Sequence, residues 1–212
     1  MEEVLQKLFN AVLEGDFEGV KVNVQNALDA KFDPSVILNS GMIAAMREVG
    51  CRFEQGEYYV PEMLIAARAM QSGMAILKPY LQKTDAKPSG KVIIGTVKGD
   101  LHDIGKNLVA LMLEGDGYEI KDLGVDVPVE EFVRVIKEEK PDVLAMSALL
   151  TTTMPMMKTT IDTVVAEGLR DTVKIIVGGA PLTETYAKQI GADGFVPDAS
   201  RAVGLVQSLM GK

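Results

Sequence analysis

The sequence predicts an α/β protein in two parts: a four-helix bundle over residues 1–82, and a five-stranded parallel sheet with helices on both faces over residues 91–212. Three observations predict it. Up to Leu81 the apolar residues recur at helical spacing, with none of the alternation of a strand. A polar stretch carrying Pro88 and Gly90 then interrupts the pattern. Beyond it, short β-rich runs alternate with amphipathic helical stretches, which is the grammar of a parallel sheet.

Val4, Leu5, Leu8, Phe9, Val12 and Leu13 lie on one face of a first helix. Asp16 can cap a second that runs to about Ala30, and Asp33 followed by Pro34 is an N-cap and first-turn pair for a third. Pro61 opens a fourth that ends near Leu81, where Met63, Met70 and Met74 read as adaptable packing. Short connections between these helices suggest a small bundle. Residues 83–90, Lys83-Thr84-Asp85-Ala86-Lys87-Pro88-Ser89-Gly90, have no periodicity and predict a flexible linker. Strands follow at Lys91 to Gly95, Tyr118 to Asp122, Val143 to Ser147 and Lys174 to Gly178, with a weaker one at Gly194 to Val196. Parallel sheets bind ligands beyond the carboxyl ends of their strands, so the loops after the strands are where chemistry is expected.

A length of 212 residues allows one or two domains and disfavours a large catalytic barrel. With 22 basic against 30 acidic residues the net charge is -8, and no Lys/Arg-rich run is present. Nucleic acid and anionic membrane surfaces are therefore poor partners. No stretch reaches the ~18 apolar residues of a membrane span, so a soluble cytoplasmic protein is expected. Cys51 is the only cysteine, which excludes an internal disulfide or a cysteine cluster for zinc; it is expected as a small buried residue on a helix.

The loop after the first strand has glycines at 95, 99 and 105, followed by Lys106-Asn107. That spacing fits neither the dinucleotide fingerprint nor the phosphate loop. The third strand ends in Ser147 where a phosphoacceptor domain would need an Asp. What the loop offers is Asp100, two residues before His102, the only histidine of the chain. A ligating His commonly donates its second ring N–H to a carboxylate. A surface-loop His with a chance Asp nearby is the plainer alternative. One His cannot hold zinc alone, so any metal here must arrive with most of its coordination filled, as in a macrocycle.

Asp100-Leu101-His102-Asp103-Ile104-Gly105 resembles the D-x-H-x-x-G signature of cobalamin-binding domains, in a match that runs from Gly99 to Asn107. Ser147-Ala148-Leu149-Leu150-Thr151-Thr152-Thr153 is similar to the family's S-x-L-x-T segment, and Gly178-Gly179 to its third signature. Asp198-Ala199-Ser200-Arg201 resembles an Asn-Ala-Ser-Arg segment in the cobalamin domain of methionine synthase, and Gly56 to Glu62 resembles the family's helical cap. The resemblance covers about Met1 to Met210, leaving no segment for a substrate barrel or DNA-binding module. It is nearest to the stand-alone corrinoid proteins of methylamine, methanol and methoxy-compound methyltransferase systems.

The resemblance implies a Rossmann-like (flavodoxin-like) cobalamin-binding domain preceded by a helical cap. The cofactor would be cobalamin or a related corrinoid, in the methylcobalamin form during turnover, with His102 as the axial ligand to cobalt. Asp100 and Thr153 would extend His102 into a proton relay; Thr153 stands where methionine synthase-like domains carry Ser. Gly99, Leu101, Asp103, Ile104, Gly105, Ser147, Leu149, Thr151, Gly178, Gly179 and Ala199 would line the cofactor and its tail. Gly178 and Gly179 would let a bulky tail run against their backbone, although a simple strand-to-helix turn would also use them. Tyr59 would roof the methyl-bearing face. The implied function is a methyl carrier served by a substrate methyltransferase, an acceptor methyltransferase (pterin or thiol) and a reductive activase, and not catalytic on its own. A cobalamin sensor or storage protein is the alternative, although the acidic helical half lacks a basic DNA-recognition helix.

Overall fold

The computed structural model describes residues 3–81 and 88–211, at positions 54 and 200 for the backbone alone. Two compact units divide the chain: Met1–Ser89 with Gly115–Gly117, and Gly90–Glu114 with Tyr118–Lys212. Of the expected linker, residues 83–87 lie outside the described residues.

In the first unit α1 (Glu3–Leu13) turns Leu5, Leu8 and Val12 inward at three- and four-residue intervals. α2 (Phe17–Asp29) begins where the Asp16 carboxylate accepts from the Gly19 N–H at 2.9 Å, satisfying one of the orphan donors of a helix start. Asp33 caps Ser35 N–H in the same way, at 2.7 Å, and opens α3 (Pro34–Val36). The expected third helix is not one regular α-helix, however. The chain widens into a π-helical segment, Ile37–Ile43, before α4 (Ala44–Glu54). The weak helix formers Asn39, Ser40 and Gly41 sit in that segment. A Cβ at Gly41 would stand 2.7 Å from Leu8 Cδ2, so a residue without a side chain is what lets this segment press against α1. α5 (Val60–Leu81) carries Pro61 in its first turn and buries Met63, Ala66, Met70 and Leu77. Gly73 brings α5 against α2, since a Cβ there would meet Val20 Cγ1 at 2.7 Å. Cys51 is exposed, contrary to the expectation of a buried thiol. The inner face of α4 is carried by Ala45, Met46 and Val49, and two residues beyond Val49 the helix has rotated by about 200°.

In the second unit the strands are β1 (Lys91–Thr96), β2 (Glu119–Asp122), β3 (Val143–Ser147), β4 (Lys174–Gly178) and β5 (Gly194–Val196). They form a parallel sheet in the order β2-β1-β3-β4-β5. β1 runs one residue further than the sequence pattern suggests, to Thr96, and Tyr118 lies just before β2, buried. The helices are α6 (Ile104–Gly115), α7 (Val129–Glu139), α8 (Pro155–Ala166), α9 (Glu184–Ile190) and α10 (Ala199–Leu209).

Both faces of the sheet are covered, which is why the strands read as continuous apolar runs. Ile93, Leu144, Met146, Ile175 and Val177 point to one face and pack with Phe132 and Ile136 of α7, Met157 and Ile161 of α8, and Ala187 and Ile190 of α9. Their alternates Val92, Ile94, Val143, Ala145 and Ile176 point to the other, against Leu113 of α6 and Ala202 and Val206 of α10. Each fully buried Val, Leu, Ile or Phe contributes about 1.5–3 kcal/mol, so these two layers dominate the unit's stability. The strand order reverses direction at β1. The chain leaves β1 for β2 on one side and reaches β3 on the other, so the loops after β1 and β3 part and leave a crevice between them.

Candidate functional site

The register brings the strand ends level: Thr96 pairs with Ser147, Ser147 with Gly178, and Gly178 with Val196. The segments that follow, 97–103 after β1 and 148–154 after β3, meet over the crevice through one side chain. Asp100 is fully buried, and five donors converge on its carboxylate. The His102 N–H (3.0 Å) and His102 Nδ1 (2.7 Å) approach Oδ1. The Leu149 N–H (2.8 Å), the Leu150 N–H (3.3 Å) and the Thr153 hydroxyl (2.7 Å) approach Oδ2. Burial by itself pushes the Asp100 carboxyl up. The Thr153 hydroxyl, the amides of His102 and Leu149 and the His102 ring outweigh it and hold the group well below the usual carboxylate range.

An ionised carboxylate only accepts, so Nδ1 of His102 carries a ring proton, and in the neutral imidazole Nε2 keeps its lone pair. The imidazole is half exposed, at 51% for the side chain, which leaves Nε2 available as a ligand. Around it stand apolar side chains that the fold leaves in water: Leu101 at 71%, Ile104 at 76%, and Leu149 and Leu150, each close to two-fifths exposed. Nothing lies within 4 Å of the place a Cβ at Gly105 would occupy, so no protein neighbour requires that glycine. Among the described residues no group of three or more His, Cys, Asp or Glu is placed to hold a metal ion. This donor set therefore suits a metal that brings its other ligands in a broad apolar ring, with one imidazole completing the coordination.

Beneath this surface Lys106, in the first turn of α6, is buried and pairs with Asp122 at the end of β2 and with Asn107 Oδ1 at 2.7 Å. The other expected site residues are distributed more widely. Asp103 and Ile104 are exposed where α6 begins, and the Asp103 carboxylate accepts from Asn107 Nδ2 at 3.1 Å. Gly99 has φ +83°, a left-handed conformation that requires glycine, with Thr153 Cγ2 at 3.6 Å from a Cβ built there. Ser147 is partly buried and Thr151 exposed in the turn before α8. Ala199 is buried at the start of α10. Tyr59 belongs to the helical unit, 66% exposed at the start of α5, while Tyr58 beside it is half-buried and donates to Leu13 O at 3.3 Å.

The glycines after β4 need an internal explanation before any ligand is invoked. A Cβ at Gly179 (φ +139°) would lie 1.9 Å from Ala148 O, and one at Gly178 3.0 Å from Val196 O. The close approach that demands Gly179 is thus made by the β3 loop of the protein itself, and the expected reason, room for a cofactor tail, is not needed there. Sequence reasoning missed two partners of the site. The Thr96 hydroxyl donates to His102 O at 2.9 Å, and Asp126, in the loop after β2, holds the backbone at Gly99 and Asp100. Asp126 follows Gly124-Val125, a turn composition, which was the one available signal.

Residues 90–205 match a model described as a B12 binding domain, and residues 4–78 match a second B12 binding domain model. The chain belongs to the B12-binding family. Within this family, dimethylamine corrinoid protein 1 of Methanosarcina acetivorans is 41% identical over 210 residues, covering 99% of this chain and 98% of that protein. Trimethylamine corrinoid protein 1 of the same organism is 42% identical over 211 residues, with the same shares. Two solved structures agree. The chain is similar to a cobalamin-binding protein from Desulfitobacterium hafniense (TM-score 0.80, 35% identity, 97% of this chain and 98% of that one). It is also similar to a chain of the methanol:cobalamin methyltransferase complex from Methanosarcina barkeri (TM-score 0.88, 29% identity, 100% of this chain and 81% of that one). The α/β architecture and the cobalamin family expected from the loop signature are both borne out. A B12 group also fits the residues: one imidazole with a free nitrogen, an apolar surround, and an unfilled place at Gly105.

Proposed function

We propose that this chain is a corrinoid methyl carrier of a multi-component methyltransferase system, with residues 91–212 holding the cofactor, 1–82 acting as its cap and 83–90 linking the two. The observation that carries this reading is the His102–Asp100–Thr153 chain, set among exposed apolar side chains. The names of its relatives, dimethylamine and trimethylamine corrinoid proteins, support a methylated amine as the donor handled by a partner methyltransferase.

When bound, the corrinoid supplies a cobalt nucleophile that takes up a methyl group and gives it up again. The protein's own contribution is binding and proton control. His102 Nε2 would hold the cobalt, while Asp100 keeps a ring proton on Nδ1. The Asp100 carboxylate, held ionised by the Thr153 hydroxyl, would stabilise positive charge on the imidazole ring. Leu101, Ile104, Leu149 and Leu150 are exposed apolar side chains that would be buried against the corrin ring. Ser147 and Thr151 would supply hydroxyls to the cofactor's tail, and Gly99, Asp103, Gly105, Gly178, Gly179 and Ala199 are the residues that would stand beside it. Tyr59, exposed in the helical unit, is the aromatic side chain that the family resemblance would assign to excluding water.

A substrate methyltransferase loads the carrier, an acceptor methyltransferase unloads it, and a reductive activase rescues it. Among the described residues no helix is long and apolar enough to cross a membrane, and we place the system in the cytoplasm. The test has two parts. Protein reconstituted with cobalamin should show a histidine-ligated visible spectrum that becomes water-ligated in His102→Ala. The reduced holo-protein should take up methyl from the donor only when the cognate methyltransferase is added. Multiple turnovers by the isolated holo-protein would contradict a carrier, and an unchanged His102→Ala spectrum would contradict the axial ligand.

A further inference from the structure

We infer that Asp126 is a positioning residue for His102, acting from the β2–α7 loop through the backbone of Gly99 and Asp100. The inference rests on His102 as the axial ligand. Asp126 Oδ1 accepts from the Gly99 N–H at 2.8 Å, and the Asp126 N–H donates to Asp100 O at 2.9 Å. One residue thus fixes the donor at the start and the acceptor at the end of the two-residue segment that sets the direction of the Asp100 side chain. Neighbouring bonds seat the two loops on each other: Thr96 N–H donates to Gly124 O at 3.0 Å and Val127 N–H to Thr96 O at 3.0 Å. Asp100 in turn orients the imidazole, whose own carbonyl is held by Thr96.

The backbone of Asp126 gives an independent sign that the position is constrained. Its φ is +53°, a region sparsely populated by residues other than glycine. Glycine would adopt that conformation freely but would offer no acceptor to the Gly99 N–H and no counter-charge to Lys98 Nζ, which lies 3.0 Å from Oδ2. Strain kept at one residue while its side chain and its amide both serve the same neighbouring segment points to a selected clamp. Lys98 and Asp126 are each about half exposed, so their ion pair adds little, and the acceptor for Gly99 is the part that matters.

The experiment uses the full chain reconstituted with aquocobalamin, comparing wild type, Asp126→Gly, Asp126→Asn and His102→Ala. Apo-protein melting, cobalamin affinity and the visible spectrum are read for each. Asp126→Gly relieves the backbone and removes the clamp, so melting should stay within a few degrees of wild type. Affinity should fall about tenfold, as loss of an outer partner of a metal ligand commonly causes. Its spectrum should shift toward that of His102→Ala. Asp126→Asn keeps an acceptor and tolerates positive φ, and should recover affinity to within about threefold, with a wild-type spectrum. The inference is overturned if Asp126→Gly binds and absorbs as wild type, or if Asp126→Asn is as impaired as Asp126→Gly. A His102→Ala spectrum identical to wild type would remove the axial ligand itself, and the failure would then lie in the functional reading. If Asp126→Gly does not fold, Asp126→Asn decides alone: a folded variant with tenfold weaker binding overturns the inference, and near wild-type binding supports it.

Discussion

Replacing Asp100 by Asn tests the centre of the site with a change of one atom. All five groups around the carboxylate are donors as arranged, and Asn has a single acceptor oxygen. If its amide nitrogen takes the place of Oδ2, it opposes the Leu149 and Leu150 N–H groups in a buried position. If it takes the place of Oδ1, it opposes the His102 N–H and can only donate to Nδ1, which moves the ring proton to Nε2 and removes the lone pair a metal would use. Hydrogen bonds to a charged group contribute about 1.5–3 kcal/mol each, so the loss of two predicts a destabilisation of about 3–6 kcal/mol. For a chain of this size that lowers the melting temperature by on the order of 10 °C. Urea and thermal unfolding of the apo-proteins at pH 7 measure it, and cobalamin titration should show at least about tenfold weaker binding. The pH dependence supplies a second check. The carboxyl is held below its ordinary 3.8, so its stabilisation is present above that pH and is lost as pH falls from there toward the depressed value. The gap between wild type and Asp100→Asn should therefore narrow in acid below about pH 4. A difference under about 1 kcal/mol at neutral pH, or one that acid leaves unchanged, would refute the reasoning.

Thr153→Val keeps the side-chain shape but removes the donor at 2.7 Å from Asp100, and should destabilise the apo-protein by about 1.5–3 kcal/mol in urea unfolding. Thr153→Ser keeps the hydroxyl and should stay within about 1 kcal/mol of wild type, the cost of one methyl group. Gly179→Ala places a Cβ 1.9 Å from Ala148 O at a φ that alanine avoids, and should lose about 3 kcal/mol or more even without cofactor; an unaffected urea midpoint would show that the β3 and β4 loops separate freely. Limited proteolysis should cut first between Lys83 and Gly90, as their composition predicts, and cleavage within the sheet before that segment would argue against a linker.

Much of the fold was legible in local pattern. Three of the five strands, Val143–Ser147, Lys174–Gly178 and Gly194–Val196, have the bounds that their β-rich runs indicate, because a strand covered on both faces must be apolar along its length. The caps at Asp16 and Asp33 were legible for a similar reason: a short carboxylate before an apolar run has few better uses than a helix N-terminus. The π-helical segment at Ile37–Ile43 and the exposure of Cys51 were not, since both depend on which helix face meets a neighbour.

At the site, the sequence by itself determined the chemistry: a single imidazole two residues from a carboxylate, in a loop that fits neither nucleotide fingerprint, with a family signature around it. It offered the pairing of Asp100 with His102 beside a chance-neighbour alternative, and the structure shows the carboxylate bonded to both the ring and the amide. Tertiary structure alone decided the rest. Leu149, Leu150 and Thr153 reach Asp100 only because β1 and β3 are neighbours in the sheet, which joins positions about fifty residues apart. Asp126 reaches Gly99 only because β2 lies on the other side of β1. Gly179, for which the sequence left a ligand tail and a simple turn both open, stands where a Cβ would meet the Ala148 carbonyl. Hydrogen bonds act over about 3 Å, and which distant residues come that close is a property of strand order and register that no local stretch of sequence encodes.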